Sequence, residues 1–348
     1  MAAIRMKDIA RDLGVSAVTV SKVLRGHPDI GQVTKERVLQ RVKELRYRPN
    51  LMARGLVTGR TFLIALVVPD LVGSFFAEIA ISLSDTLRKQ GYSTIIAWTA
   101  EDPELEAREM EHLVSLGIDA MIIATSATDA SSFRMLEDRG IPFILFDREM
   151  SELKVPYVGG DDILAGRIAT QHLIDSGCKR IAHICGPPMS PGQRRLEGYK
   201  LALHDAGLPI KDQYIVTPVE PGPRSFHHGF EATQRLLGAK PRIDGIFCFN
   251  DSLAIGAMEA IWAAGLRIPE DIAIVGCGNH PLGKALRLPL TTIDQNVKGL
   301  GEKCAKTTIT MLAEPDKSSA RKVILKPTLI VRASSTKSPA LNPRKTAR

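Results

Sequence analysis

Residues 6–24 read MKDIARDLGVSAVTVSKVL, and their spacing decides how the N-terminal end folds. Met6, Ile9, Ala10 and Leu13 recur at helical spacing. They stop at Gly14, which tolerates the left-handed backbone that ends a helix. Ser16 stands where an N-cap is wanted, ahead of a second helix over Ala17–Leu24. Gly26-His27-Pro28 breaks that helix. Thr34 is placed to cap a third, with an apolar stripe of Val38, Leu39, Val42 and Leu45 that runs out at Tyr47 and Pro49. Three short helices, the first two joined by a tight glycine turn, predict an all-α helix-turn-helix domain over residues 1–48.

At 100° per residue, Ala17, Val18, Ser21 and Lys22 share one side of the second helix, and Val20, Val23 and Leu24 the other. The apolar side is expected to pack on the neighbouring helices. The opposite side is small and carries a single long cation. That suits a helix pressed into the major groove, where small side chains allow close approach and Lys22 donates to guanine acceptors, while Ala17 and Val18 reach thymine methyls. The alternative is the outer face of an ordinary helical bundle.

Charge favours the first reading. The net charge is +8, yet residues 1–60 alone hold thirteen Lys and Arg against five acids. The last fifteen residues add four bases and no acid, so the stretch 61–333 is net −4. A basic head on a mildly acidic body is the layout of a protein whose head alone meets a polyanion. A protein that compacts DNA without sequence preference would be basic throughout.

From Thr61 the texture changes. The apolar runs FLIALVVPD, YSTIIAW, DAMIIAT and PFILFD alternate with amphipathic segments at 75–90, 103–116 and 129–139. The alternation restarts after Tyr157–Asp161, with RIAHICG, YIVTP, GIFCFND and DIAIVGCG between helices at 162–176, 192–206, 225–238 and 252–264. Continuous apolar strands alternating with helices indicate parallel sheets covered on both faces. The prediction is an α/β core of two doubly wound parallel-sheet subdomains over 61–333. The N-subdomain takes about 61–160 plus 293–320, and the C-subdomain about 161–291 plus the strand pair 322–333. Residues 334–348, polar and rich in Pro and Ser, are expected to form a basic disordered tail.

Five scattered cysteines with no CxxC pair argue against a disulfide framework or zinc site and suit a reducing compartment. The N-terminus has no apolar signal core, and no apolar run reaches the roughly 18–20 residues of a membrane span. The expected location is the bacterial cytoplasm, at the nucleoid, with no membrane partner. There is no GxGxxG after the first strand, no Walker lysine, no HExxH and no GxSxG, so neither an enzyme nor a cofactor is expected.

Residues 49–60, around Arg48-Pro-Asn-Leu-Met-Ala-Arg-Gly-Leu56, are either a plain linker or a segment that folds only on DNA, because eight residues are too few for a stable lone helix. In the second case Leu56 can wedge between base pairs in the minor groove.

The run from Met6 to Leu56 closely resembles the head of the lactose-repressor (LacI/GalR) family. It carries D-I-A-x-x-L-G-V-S-x-x-T-V-S, then T-x-E-R-V, then L-x-Y-x-P-N-x-x-A-R-x-L. The tandem α/β halves look like that family's periplasmic-binding-protein-like core, so the resemblance covers about 330 residues. It implies that Ala17, Val18 and Lys22 read bases and that Thr19 and Ser21 touch phosphate or groove, with Ser16 and Thr34 beside them. It also implies that Asn50, Ala53, Arg54 and Leu56 belong to a hinge helix, with Leu56 as the wedge. The implied partners are a near-palindromic double-stranded operator, a second copy of the chain as a homodimer, and a small-molecule effector. The implied role is a repressor, with a ligand-dependent activator or a corepressor-dependent regulator as the alternative.

Open α/β sheets bind ligands beyond the carboxyl ends of their strands, and between two halves the cleft is the default site. Phe75 and Phe76 follow the first strand, Asp147 and Arg148 the fourth, and Asn250 and Asp251 end GIFCFND. Each also has a plain structural reading, as helix packing or an N-cap. The resemblance marks Phe75, Phe76, Asp147, Arg195 in RLEGY, Asn250 and Asp251 as effector contacts or cleft-shaping residues. Two departures stand out. Gly276-Cys277-Gly278-Asn279 replaces a G-Y-D-[DN] pattern and lacks its acid, and GPPMSPGQR lacks the polar residues of purine readers. The expected effector is therefore a sugar or a sugar acid, the acid because Arg148, Arg195 and Arg224 could offset a carboxylate. A transport-type sugar-binding protein is the rival for the core, disfavoured by the basic head.

Overall fold

The computed structural model describes residues 4–24, 27–45, 47, 60–217, 225–314 and 321–336. The chain divides into two compact units, Met1–Thr61 and Phe62–Arg348.

The head unit contains α1 (Met6–Leu13), α2 (Ala17–Leu24) and α3 (Gln32–Glu44). Gly14 closes α1 in the left-handed region at φ 65°, its N–H bonded to the carbonyls of Ala10 and Arg11. The Ser16 hydroxyl accepts from the Thr19 N–H at 3.0 Å, capping α2. Ile9, Ala10, Val20, Val23 and Val38 form the core, with Val42, Leu45 and Tyr47 packed against it. Two details of the third helix differ from expectation. It starts at Gln32 behind Gly31, with no side-chain cap, so Thr34 lies inside the first turn. Leu39 is 44% exposed; it sits 100° round the helix from Val38, whereas Val42 and Leu45 return to the Val38 side.

The second unit holds two six-stranded sheets. The first runs β11-β5-β4-β3-β1-β2 and the second β12-β10-β9-β8-β6-β7. Their strands are β1 (Leu63–Val68), β2 (Ser93–Trp98), β3 (Ala120–Ile123), β4 (Phe143–Phe146), β5 (Tyr157–Gly160), β6 (Ile181–Ile184), β7 (Ile215–Val216), β8 (Gly245–Cys248), β9 (Ala273–Cys277), β10 (Thr291–Asp294), β11 (Lys322–Leu325) and β12 (Thr328–Ile330). Every pairing is parallel except β10 with β12. Successive residues point to opposite faces, and in the inner strands both faces are buried. Ile64, Leu66 and Val68 meet α4 (Ser74–Lys89) and α12 (Val297–Ala313), while Ala65 and Val67 meet α5 (Pro103–Ser115). In the second sheet Ile246 and Cys248 meet α9 (Ser225–Leu237) and α10 (Asp251–Ala263). Phe247 turns to α7 (Asp162–Asp175) and α8 (Ser190–Asp205). The short helices α6 (Arg134–Asp138), which follows a 3-10 turn at Ser131–Phe133, and α11 (Pro281–Ala285) complete the unit.

The two halves share one strand pattern, and the chain crosses between them three times: after β5, after β10 and between β11 and β12. The last crossing corrects the expected boundaries. Residues 322–333 do not form a pair in the second half: β11 lies beside β5 in the first sheet and β12 beside β10 in the second. Ile293 and Asp294, expected in the first half, belong to β10. Lys326-Pro327 separates β11 from β12, and their partner strands are remote in sequence. Residues 334–336, expected in the tail, belong to the fold. Ser334 and Ser335 are fully buried, Ser334 bonding Ile274 and Thr291 and Ser335 bonding His172 and Thr291. Residues 337–348 lie outside the described residues. A further tie joins the halves: Glu149, after β4, pairs with Arg194 of α8 and Lys322 of β11, and its N–H bonds the Ser190 hydroxyl at 2.8 Å.

Candidate functional site

The carboxyl ends of the strands face a cavity of about 430 Å³ between the two halves of the second unit. Phe75, Phe76, Asp147, Arg148, Arg195, Asn250 and Asp251 all line it. Their environments separate their roles. Phe76 is 8% exposed and stacks edge-on with Phe146 and Phe75, so it supports the wall. Phe75, also on the wall, is half-buried and keeps more of its ring exposed. Asn250 caps α10 by accepting from the Leu253 N–H at 2.8 Å, which leaves its amide nitrogen as a donor. The Asp251 carboxylate is held by the Thr292 hydroxyl and the His280 N–H, each at 2.6 Å. Gly276 is required there, because a Cβ at that position would collide with the carboxylate.

Both arginines are committed internally. Arg195 is 3% exposed; its guanidinium donates to Asp162 at 2.8 Å, the Phe249 carbonyl at 2.7 Å and Gln295 at 2.5 Å, and lies 4.4 Å from the Phe249 ring centre. Arg148 forms a two-pronged pair with Glu101, at 2.6 and 2.5 Å, and also donates to the Thr125 carbonyl. Glu101 reaches that position through consecutive left-handed residues, Ala100 at φ 53° and Glu101 at φ 60°. Asp147 is left-handed too, at φ 59°, and the Arg148 N–H closes back onto the Phe146 carbonyl at 2.6 Å. Such unfavourable backbone persists where the surroundings enforce it, and it collects at ligand sites. Desolvation, reinforced by the charge of Asp162, raises the Asp147 carboxyl to about 6; Arg148 and Arg195 offset this only in part.

The pairing overturns one premise of the sugar-acid expectation. Arg148 and Arg195 are already neutralised by Glu101 and Asp162, while Asp147, Asp251 and Asp70 on the wall form no ion pair among the described residues. Arg224 lies outside the described residues. Asn279, in the run that departs from the family pattern, turns to Asp294 and Arg332 instead of lining the cavity. Sequence reasoning missed Trp98, Glu101, Phe249, His280 and Gln295, all on the cavity wall. Trp98 ends YSTIIAW and Gln295 follows β10, so the end-of-strand rule reaches both. The position of Glu101 follows from two left-handed residues that carry no sequence signature.

In the head, Val18 is 63% exposed, and Val20 and Val23 are buried, as the helical angles require. Thr19 shares a hydrogen bond with the Ser16 hydroxyl at 2.9 Å. Lys22 is paired with Asp29 at 2.5 Å. The expected hinge residues Asn50, Ala53, Arg54 and Leu56 lie outside the described residues. Among the described residues no group of three or more His, Cys, Asp or Glu could hold a metal ion, and no helix is long and apolar enough to cross a membrane.

A helix-turn-helix head joined to a two-lobed α/β unit, with an aromatic-walled cleft that carries a few polar side chains, defines a ligand-responsive DNA-binding regulator of transcription. Residues 5–50 match the model for bacterial regulatory proteins of the lacI family, and residues 61–331 the model for periplasmic binding proteins and the sugar binding domain of the LacI family. The chain belongs to the LacI family. It is 34% identical over 297 residues to the ribose operon repressor of Halalkalibacterium halodurans, spanning 85% of this chain and 86% of that one. It is 32% identical over 331 residues to the ribose operon repressor of Escherichia coli K12, spanning 94% and 99%. The solved transcriptional regulator CelR–cellobiose complex superposes with a TM-score of 0.73 at 28% identity, covering 95% of this chain and 99% of that one.

Proposed function

We propose that this regulator is a homodimeric repressor in the bacterial cytoplasm whose hold on a near-palindromic operator is set by an uncharged sugar in the cleft. The supporting observation is the charge balance of the wall: both arginines are neutralised within the protein, and unpaired acid remains. A carboxylate or phosphate entering there meets repulsion and no uncommitted counter-charge. A neutral sugar instead offers hydroxyl donors to Asp147, acceptors to the Asn250 amide, and ring faces to Phe75, Trp98 and Phe249. A relative named as a ribose operon repressor and a solved regulator–cellobiose complex point to the same class.

Ala17, Val18 and Lys22 then read base edges, with Ser16, Thr19, Ser21 and Thr34 at the backbone. Asn50, Ala53, Arg54 and Leu56 form the hinge that enters the minor groove. A ligand acts only through unequal affinity for two arrangements of the halves. The Glu149–Arg194 tie and the three chain crossings are the contacts that any rearrangement must strain. A thermal-shift screen tests the ligand class, because a bound ligand raises apparent stability by mass action. Neutral sugars are expected to raise the melting temperature, and the matching sugar acids and phosphates to leave it unchanged. Stabilisation by acids or phosphates alone would reject the proposal.

A further inference from the structure

The exposed side of α2 meets a negative charge that a surface built for a polyanion does not need. Lys22 Nζ lies 2.5 Å from Asp29 Oδ2, and the other carboxylate oxygen lies 2.7 Å from His27 Nδ1. The hydrogen bond from Lys22 holds the Asp29 carboxyl below its ordinary range against a smaller desolvation effect, and His27 acts in the same direction. The head's other acids serve its scaffold. Asp8 bonds Arg11 and the Arg5 N–H, Asp12 bonds Arg41, Glu36 bonds Gln32, and Glu44 bonds Arg41 and Gln40. Among the described residues, Asp29 is the acid paired with the groove-facing side of α2.

A carboxylate on that side weakens phosphate attraction for every sequence alike. Selectivity is what can offset the loss. A lone lysine is a flexible point charge with three donors, which serve guanine O6 and N7, thymine O4 or a phosphate with little preference. Bridged to Asp29, one donor is committed and the stem is ordered before DNA arrives. An acceptor then stands one hydrogen bond away, and His27 fixes its second oxygen.

We infer that Asp29 is a specificity-determining residue that forms one reading unit with Lys22, the ammonium donating to guanine while the carboxylate accepts from the N4 amino group of the paired cytosine. A carboxylate facing thymine O4 or guanine O6 in that position has acceptor against acceptor, so the unit rejects those arrangements. The inference rests on α2 being the DNA-reading helix.

The test uses the full-length protein and a duplex selected from a randomised library. Wild type, K22A, D29N, D29S and the K22A/D29N double variant are titrated at fixed salt against that duplex, each of its single-base-pair variants and an unrelated duplex. D29N and D29S are expected to bind the unrelated duplex about two- to threefold more tightly and to lower the selected-to-unrelated ratio about tenfold. They flatten the preference at the same G·C pair as K22A, and the double variant is no less selective than K22A alone. Equal gains on all duplexes, or a flattened preference at a different base pair, would overturn the role of Asp29. A K22A protein that binds every duplex like wild type would instead remove the reading of α2 itself.

Discussion

The exposed side of α2 and the cleft of the core handle charge in opposite ways. On α2 the cation is part-exposed and its acid partner sits in solvent, with side-chain exposures of 34% for Lys22 and 46% for Asp29. In the cleft Arg195 and Asp162 are both 3% exposed and satisfied on several sides. An exposed pair adds little to stability and leaves both groups open to further partners, which suits a surface proposed to meet DNA. A buried pair is committed, because removing one member strands the other without water. The cleft therefore spends its charges on shape and polarity, and the head keeps its own available.

The sharpest way to break this contrast is Arg195→Met. It leaves Asp162 buried and unpaired and is expected to cost about 3–5 kcal/mol in urea unfolding; a loss below about 1 kcal/mol would mean that the pair is not buried in solution.

Asp147→Asn comes next. The folded carboxyl titrates near 6 against about 3.9 unfolded, so the native state binds the proton more tightly and wild-type stability falls as pH rises from about 4 to about 6. Asparagine carries no such charge. The variant is expected to gain on the order of 2 kcal/mol above pH 6.5, an advantage that shrinks at pH 5. A gain that does not vary with pH would place the cause in packing.

Smaller effects probe the head. Ser16→Ala removes the cap of α2 and is expected to cost about 1 kcal/mol in the thermal transition of the head. Leu39→Ser, on the exposed side of α3, is expected to stay within about 0.5 kcal/mol. A large loss there would restore Leu39 to the apolar stripe.

What was legible in the sequence divides along the same line. The left-handed turn at Gly14, the Ser16 cap and the buried Val20–Val23 side follow from neighbours within a few residues, and all three appear in the structure. Leu39 and Thr34 were misplaced by fractions of a helical turn. The alternation of apolar runs and helices announced two parallel sheets. It did not announce that β11 and β12 part company, because strand pairing is set by partners far along the chain. Cleft residues at strand ends could be named, but their partners could not. Arg148 and Glu101 are 47 positions apart and Arg195 and Asp162 are 33 apart, so the sequence shows the cations without the acids that silence them. A sugar acid was a natural expectation from the cations alone.

On the reading proposed above, an uncharged sugar in the cleft governs operator binding. The most direct test of that reading is the affinity of the full-length protein for a library-selected operator, titrated with neutral sugars and with their acid and phosphate derivatives at constant salt. At least one neutral sugar is expected to change the operator Kd by about tenfold or more, a coupling of about 1.4 kcal/mol, while the charged derivatives leave it unchanged. A response to a sugar acid or phosphate, with none to the neutral sugars, would contradict control by an uncharged sugar.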